Sequence, residues 1–514
     1  MPTAEALLSS GFATLSELIR AHAAERPEKT ALAMDERTLG YAALDARMDR
    51  VAAALQRDGV AHGTAVALLA APSIAYAEVF LGAVRAGCVA APLAPSATPA
   101  QIAAMVRDSG APLLFLDEEA AEMLGKIDLP AKRVALDGSG AGVAFETWLA
   151  PAATVPAPVR IAPDDPFNLI YSSGTTGTPK GIVQPHAMRW SHIARNTAAG
   201  FGDAVTMVAT PLYSNTTLVS FLPTLGWGGT AVLLRKFDAY AFLEAAQKHR
   251  ATHAMLVPVQ YRRIMALPDF DRFDLSSFRF KTCTSAPFSP ELKADVLARW
   301  PGLLLEIYGM TEGGGTCILI ANMHPDKLHT VGRPIEGCDI RLIDERGKEV
   351  AAGETGEVVG RSGGMMTGYH GRPETTRETE WFDAEGRRYI RHGDIGRFDE
   401  DGFLILMDRK KDVIISGGFN IYPSDLEAVL AEHPDVADCA VVGIPSEAWG
   451  ETPVGFYVAR DAVTDTATIL TWFNDRVGKT QRLSALECVA ELPRSSIGKI
   501  LKRALRDRYL ENAK

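Results

Sequence analysis

Tyr171-Ser-Ser-Gly-Thr-Thr-Gly-Thr-Pro-Lys-Gly181 packs five Ser and Thr hydroxyls, three glycines and one lysine into a single short segment. The apolar run Phe167-Asn-Leu-Ile-Tyr171 leads into it like a strand, so the segment is expected to be a polar loop that follows a strand. Such a loop suits a polyphosphate. Glycines let backbone N–H groups approach phosphate oxygens, the hydroxyls of Ser172, Ser173, Thr175, Thr176 and Thr178 donate hydrogen bonds, and Lys180 adds a compact positive charge. It is not a Walker A loop, because Pro179 replaces the glycine before the lysine and Gly181 replaces the Ser or Thr after it. A solvated linker is the bland alternative, but a linker gains nothing from the leading strand or the Pro-Lys-Gly ending.

The 514 residues exceed what one hydrophobic core usually organises, which predicts two or more domains. With 47% apolar and 23% charged residues the composition is that of an ordinary globular protein. A net charge of −10 argues against a general affinity for nucleic acid or anionic lipid, so anionic substrates must meet local positive charge. Six cysteines, at 88, 283, 317, 338, 439 and 488, stand far apart with no Cys-x-x-Cys pair, which fits neither a disulfide framework nor a zinc site. They are expected to be reduced and mostly buried. Glu5 and Glu17 near the N-terminus, with no basic patch before an apolar core, speak against a secretory signal. Arg85 and Pro92 interrupt the most apolar stretch, Val79 to Ala94, which falls short of the roughly 20 residues a bilayer requires. No membrane span and a cytoplasmic location follow as expectations.

From about residue 64 the chain alternates short apolar runs with helical periods. Ala65 to Leu69, Ile74 to Ala86 closed by Gly87, and Cys88 to Leu93 read as strand, helix, strand. Ala231 to Leu234 and Met255 to Val257 bracket a predicted helix from Tyr240 to His249, and a further helix opens at Ser289-Pro290 with apolar residues at Leu292, Val296, Leu297 and Trp300. Pro151 to Pro166 reads as a connector, and glycines at 353, 356, 360, 363 and 364 predict a small antiparallel β region. A compositional break at Asp408-Arg-Lys-Lys-Asp412 precedes a smaller domain with a helix (Pro423 to His433) and strands at Cys439 to Val442 and Gly455 to Val458.

Four further motifs follow the phosphate loop: Tyr308-Gly-Met-Thr-Glu312, His392-Gly-Asp-Ile-Gly396, Asp408-Arg-Lys-Lys-Asp-Val-Ile-Ile-Ser-Gly-Gly-Phe-Asn-Ile-Tyr-Pro423 and Pro493-Arg-Ser-Ser-Ile-Gly-Lys499. With all five in this order, nearly the whole chain resembles the adenylate-forming acyl-CoA synthetases and their relatives, the acyl and aryl adenylating enzymes. The resemblance implies an α/β protein with a large N-terminal ATP- and acyl-binding domain, residues 1–410, built of doubly wound αβ subdomains and a small β region. A small mobile α+β C-terminal domain, residues 411–514, would follow. It further implies joining of a carboxylic acid to CoA through an acyl adenylate, with ATP and CoA as substrates and Mg²⁺ as the metal. A homodimer stays open as the assembly.

Bringing a carboxylate to ATP joins two anions, so cations must face the α-phosphate and the departing pyrophosphate. At an effective dielectric near 20, one cation about 4 Å away contributes roughly 4 kcal/mol before desolvation. By resemblance Lys499 is the adenylation lysine of the C-terminal domain, the bland alternative being a surface lysine on a basic tail with Lys502, Arg503, Arg506 and Arg508. Ser172, Ser173, Gly174, Thr175, Thr176, Gly177 and Lys180 would hold phosphates, with Thr176 and Lys180 also acting in catalysis. Tyr308 would stack on adenine beside Gly309 and Met310, Thr311 would bond the α-phosphate, and Glu312 would help hold Mg²⁺. Ser285, Ala286 and Pro287 occupy the family's adenine edge. Asp394 resembles the ribose ligand and Arg409 an arginine reaching ribose or phosphate, while His392 reads as a half-buried or exposed histidine without catalytic work.

Lys411 falls where the family pivots its small domain between half-reactions. Gly417 and Gly418 resemble glycines passed by the pantetheine thiol, and Trp449 is either a core residue or a CoA contact. Gly478-Lys-Thr-Gln-Arg482 lacks the aromatic and the proline usual around its lysine, which leaves docking of the CoA nucleotide open. Tyr213, Ser214 and Asn215 match the family's acyl segment, with Ser214 in place of a frequent His and with no Asp to pair a substrate ammonium. A plain carboxylic acid, aryl or alkyl, follows. Gly309, Gly313 and Gly314 would leave space beside that pocket. Two rivals stand beside the CoA ligase: transfer of the acyl group to a carrier-protein thiol, and a nucleotide-binding sensor without turnover.

Overall fold

The computed structural model describes residues 2–172, 179–195, 200–416, 419–447, 449–460, 465–495 and 498–512. The chain divides into two compact units, one of Met1–Leu328, Pro334–Asp339 and Arg361–Ile390, the other of His329–Arg333, Ile340–Gly360 and Arg391–Lys514.

The first unit holds two mainly parallel sheets with helical crossovers. Strands Ala65–Leu69 and Val89–Pro92 are buried throughout, which is why they read as unbroken apolar runs instead of alternating ones. Helix Ile74–Arg85 connects them, capped by the Ser73 side chain at the Tyr76 N–H. Gly82 lets it press on helix Tyr41–Arg57: a Cβ there would stand 2.5 Å from Cβ of Val51. The sheet continues from Val89–Pro92 to Pro166–Ser172 and then antiparallel to Lys180–Pro185 and Gly368–Tyr369. In the second sheet strands Leu303–Met310, Phe280–Cys283, His253–Leu256, Val205–Val208, Thr230–Leu233 and Thr30–Met34 lie in parallel order, with Gly313–Ile320 antiparallel at one side and Arg37–Gly40 at the other. Helices Ala239–Lys248 and Pro290–Arg299 stand where the sequence places them, the latter capped by Ser289. In open α/β sheets ligands gather beyond the carboxyl ends of strands, and here Ser285 follows Phe280–Cys283 while Tyr308 lies near the end of Leu303–Met310.

In the second unit strand Leu404–Arg409 runs antiparallel to residues 394–398 of the long strand Arg388–Phe398, in the antiparallel region that the glycine turns announce. Beyond it, strands Phe419–Ile421, Ile414–Ser416, Gly450–Ala459 and Val436–Ser446 form a sheet in that order, with Ala485–Cys488 parallel to Gly450–Ala459. Helices Pro423–Ala431 and Thr466–Asn474 cover one face through Leu426, Leu430, Ile469 and Phe473, and helix Lys502–Asn512 covers the other through Leu505. The C-terminal segment is therefore not a solvated basic tail. Lys502 is held by Glu427 at 2.8 Å and Asp408 at 3.6 Å. Of the six cysteines, Cys88, Cys283 and Cys317 are buried, Cys338 and Cys439 half-buried and Cys488 exposed, and all are free thiols. Among the described residues no helix is long and apolar enough to cross a membrane.

One buried ion pair underlies the strand that carries Tyr308. Glu306 pairs with Lys293 of helix Pro290–Arg299, and both side chains are almost fully enclosed. Burial pushes the Glu306 carboxyl up to about 7 against the pull of Lys293. Lys293→Met removes that pull and leaves an enclosed carboxyl that ionises freely only when unfolded. The variant is expected to be about 3 kcal/mol less stable than wild type at pH 8, with a deficit that shrinks as pH falls through 7 and the folded-state carboxyl takes up its proton. Thermal or denaturant unfolding at pH 5.5 and pH 8 checks both the size and the sign.

Candidate active site

The polar loop is entered by Pro166–Ser172 and left by Lys180–Pro185, two antiparallel strands with Ser172 opposite Lys180. Ser173, Gly174, Thr175, Thr176 and Gly177, and the side chain of Ser172, lie outside the described residues. Its frame is fixed from both sides. The Tyr171 hydroxyl donates to Asp108 at 2.9 Å, and the Gly181 carbonyl accepts from the His370 N–H at 2.7 Å. A Cβ on Gly181 would approach the Tyr171 ring to 3.2 Å, so the glycine serves this close packing.

Lys180 and Glu312 meet through a residue that the motifs do not name. The Lys180 ammonium lies 5.4 Å from the centre of the Tyr369 ring, and the Tyr369 hydroxyl donates to Oε1 of Glu312 at 2.8 Å. Burial and the neighbouring carboxylate both push the Tyr369 phenol well above its ordinary range, so it stays a donor. The Met366 N–H bonds the Glu312 carbonyl at 2.8 Å, which ties segment 365–370 to Tyr308–Glu312. A half-buried carboxylate whose one oxygen is fixed by a phenol suits Mg²⁺, which takes one or two protein carboxylates and completes its shell with phosphate oxygens and water. Among the described residues no group of three or more His, Cys, Asp or Glu side chains forms a dedicated metal cage.

Gly313 corrects one expectation. It does not leave open space, since a Cβ there would stand 2.3 Å from the Gly364 carbonyl oxygen and 2.7 Å from Cα of Met365. With φ at +89°, the position needs glycine for conformation as well as for contact. Gly314 also has positive φ, and a Cβ on Gly309 would find ordinary contact with the Gly315 carbonyl and Thr316. Tyr308 is buried, and Met310 and Thr311 are half-buried.

Ser285 adopts φ +81°, a left-handed conformation that a non-glycine residue holds only when its surroundings impose it. Its hydroxyl shares a 2.6 Å hydrogen bond with Thr216, early in helix Asn215–Gly226. The adenine-edge segment Ser285-Ala286-Pro287 is thus joined to the acyl segment. There Tyr213 and Asn215 are half-buried, and buried Ser214 occupies the N-cap position in extended conformation.

In the second unit Asp394 lies opposite Arg409, whose Nε stands 3.1 Å from its carboxylate. Lys499 is within electrostatic reach of both. Burial, then Arg409 and Lys411, lower its ammonium to about 8 against the opposing pull of Asp394 and Asp412. The Lys499 backbone is held from both sides: its N–H donates to the Ser495 hydroxyl at 3.2 Å and its carbonyl accepts from the Ser495 N–H at 2.8 Å. Arg494 bridges the Gly498 carbonyl, at 2.8 Å, and Asp438. Lys411 is exposed in the turn after Leu404–Arg409. Trp449 is half exposed and not a core residue, and Ile415 on a neighbouring strand is 57% exposed. Gly417 and Gly418 lie outside the described residues. His392 is buried, deeper than its sequence context suggests. Tyr369 escaped notice because Gly368-Tyr369 lies in a two-residue strand whose pairing with Ile182 and Val183 is long-range. A tyrosine beside a cluster of glycines is the one local signal it gives.

The family model for AMP-binding enzymes matches residues 19–370, and that for the AMP-binding enzyme C-terminal domain matches residues 425–499. The fatty acid–[acyl-carrier-protein] ligase ScoC of Streptomyces coeruleorubidus is 32% identical, over 96% of each chain. A feruloyl-CoA synthase of an Amycolatopsis species is 34% identical, over 94% of this chain and 96% of that one. The crystal structure of ATP-bound MatB from Rhodopseudomonas palustris superposes with a TM-score of 0.86 at 28% identity, covering 98% of this chain and 100% of that one. The likeness runs along whole relatives, and the chain belongs to the AMP-binding enzymes, the adenylate-forming acyl-CoA synthetase superfamily.

Proposed function

We propose that this enzyme is an AMP-forming acid:CoA ligase acting on an aryl, cinnamic or medium-chain fatty acid. One observation carries the reading: in one unit Lys499 is within electrostatic reach of Asp394 and Arg409, which pair at 3.1 Å, a grouping that suits an adenylation lysine, a ribose ligand and a second cation. The acid substrate follows from the acyl segment, where Tyr213, Ser214 and Asn215 present hydroxyls and an amide and no carboxylate for an amino group. The names of relatives, a feruloyl-CoA synthase, a fatty acid ligase and an indoleacetate–CoA ligase of Aromatoleum aromaticum, span the same aryl and alkyl range.

In the proposed cycle the acid's carboxylate oxygen attacks the α-phosphorus of ATP, the bond to the bridging oxygen breaks and pyrophosphate leaves. Lys180 offsets charge on the phosphates from the first unit, and Lys499 does so from the second. Thr311 bonds the α-phosphate, Tyr308 stacks on adenine between it and the Ser285–Pro287 edge, and Asp394 takes the ribose hydroxyls. Mg²⁺ held by Glu312 would neutralise phosphate charge. The segment from Lys411 onward, the proposed C-terminal domain, then turns about Lys411. The CoA thiol attacks the acyl carbon, and AMP leaves with the electron pair of the broken acyl–oxygen bond. Gly417, Gly418 and the exposed Trp449 with Ile415 would flank the pantetheine arm, the exposed apolar surface being what a thiol-bearing chain can cover. A second acceptor, a carrier-protein thiol, is favoured by the likeness to ScoC and would use the same surface.

Lys499→Ala is expected to lower acid-dependent pyrophosphate exchange by about 10²- to 10³-fold while leaving CoA attack on supplied acyl adenylate within a few-fold of wild type. Equal loss in both half-reactions would remove the assigned role. The ammonium is present below about pH 8 and lost above it, so adenylation kcat/KM for ATP should fall as pH rises through about 8, with one proton's slope. The residual exchange of Lys499→Ala should lack that step. Lys411→Pro fixes φ where a pivot must change it and is expected to slow thioester formation about tenfold more than adenylation. Separate assays of the two half-reactions decide it.

A further inference from the structure

Helix His186–Ala194 carries Arg189 into the first unit's core, where the residue is 1% exposed. A guanidinium there is costly, and burial alone lowers it to about 9 with no carboxylate offsetting the shift. Among the described residues it is therefore not one half of a structural ion pair. Its donors go to amides. Nε donates to Oδ1 of Asn168 at 3.0 Å, another N–H donates to Oε1 of Gln184, and Nη1 is buried with no hydrogen-bond partner among the described residues.

Arginine is donor-only, so the Gln184 atom facing it must be the oxygen. Nδ2 of Asn168 donates to that same oxygen at 2.9 Å. With two donors on its oxygen, the Gln184 amide is locked against a flip, and its NH₂ points the other way. That NH₂ donates to the Thr311 carbonyl at 2.6 Å and to Oδ1 of Asn215 at 3.3 Å. Asn168 and Gln184 are both completely buried, so each of these bonds is made without competition from water. One amide thus ties the Tyr308–Glu312 motif to the first residue of the acyl-segment helix, and a cation on a third element sets its orientation.

We infer that Gln184 is a positioning residue for adenylation, and that Arg189 acts through it by holding the amide with its NH₂ toward Thr311 and Asn215. The inference rests on the reading of Thr311 as the α-phosphate contact and of Asn215 as part of the acyl site. The pair sets the register between the two reacting groups and touches neither.

Acid-dependent pyrophosphate exchange by the wild-type protein tests the underlying adenylation reading by itself, before any variant is made. Gln184→Glu then keeps the acceptor for Arg189 and Asn168 and gives Arg189 a counter-charge. Its melting temperature is expected to equal or exceed that of wild type. A carboxylate has no N–H for Thr311 or Asn215, so kcat for exchange is expected to fall about 30-fold or more while KM for ATP moves less than about 3-fold. Arg189→Met combined with Gln184→Met is expected to be no slower than Gln184→Met alone, since Arg189 works only through the amide. Exchange by Gln184→Glu within about 3-fold of wild type, or additive losses in the double variant, would overturn the inference.

Discussion

Repulsion between a carboxylate and a triphosphate is the constraint on which this protein is built. The chain as a whole is acidic, with a net charge of −10, so general attraction cannot assemble the reactants. Positive charge has to be local, and we propose that it comes from separate places in the chain. Lys180 starts the strand leaving the polar loop, and Arg409 and Lys499 stand in the second unit beside Asp394. None of these cations lies deep in a core. Each sits at a strand end or in a turn whose backbone is fixed by neighbours, as the Ser495 and Arg494 bonds fix the turn at Lys499. For Lys499, whose ammonium is lowered to about 8, a bound polyphosphate would stabilise the charged form further.

Backbone crowding does the rest of the positioning. The approach of Gly313 to residues 364 and 365 leaves no room for a Cβ, and Ser285 holds a left-handed conformation that costs energy. Both features border segments assigned to nucleotide contact. The hydrogen bonds Ser285 to Thr216, Gln184 to Asn215 and Thr311, and Tyr369 to Glu312 then stitch five separate segments into one frame. Close backbone contact and buried amides make such a frame stiff, and stiffness is what orientation of two repelling reactants requires.

Much of this was legible in the residues. The strand–helix–strand rhythm at 65–93 and the helix opened by Ser289-Pro290 are local signals, carried by apolar periodicity and capping, and they stand where they were read. The motifs point to the polar loop, Tyr308–Glu312 and Asp394 because the roles proposed for them use contiguous residues. Legibility failed where the physics is long-range. Tyr369 becomes informative only when its strand pairs with Ile182, and Gln184 only when Thr311 lies against it. Gly313 looked like empty space because a sequence does not show the backbone that fills it. A solvated tail was the bland alternative for the segment from Lys502 to Asn512 because its helix is strongly charged, and the burial of Leu505 against Ala440, Val454 and Phe456 and the pairing of Lys502 with Glu427 depend on elements distant in the chain.

We propose that this frame joins a plain carboxylic acid to a thiol through an acyl adenylate. AMP release by the purified protein with ATP and Mg²⁺, across aryl, cinnamic, short-chain and medium-chain acids with and without CoA, tests it most directly. Acid-dependent AMP that rises strongly with CoA for an aryl, cinnamic or medium-chain acid is the predicted result. Acid-dependent pyrophosphate exchange that CoA does not stimulate would contradict CoA as the acceptor, and no acid-dependent AMP with any acid would contradict the account as a whole.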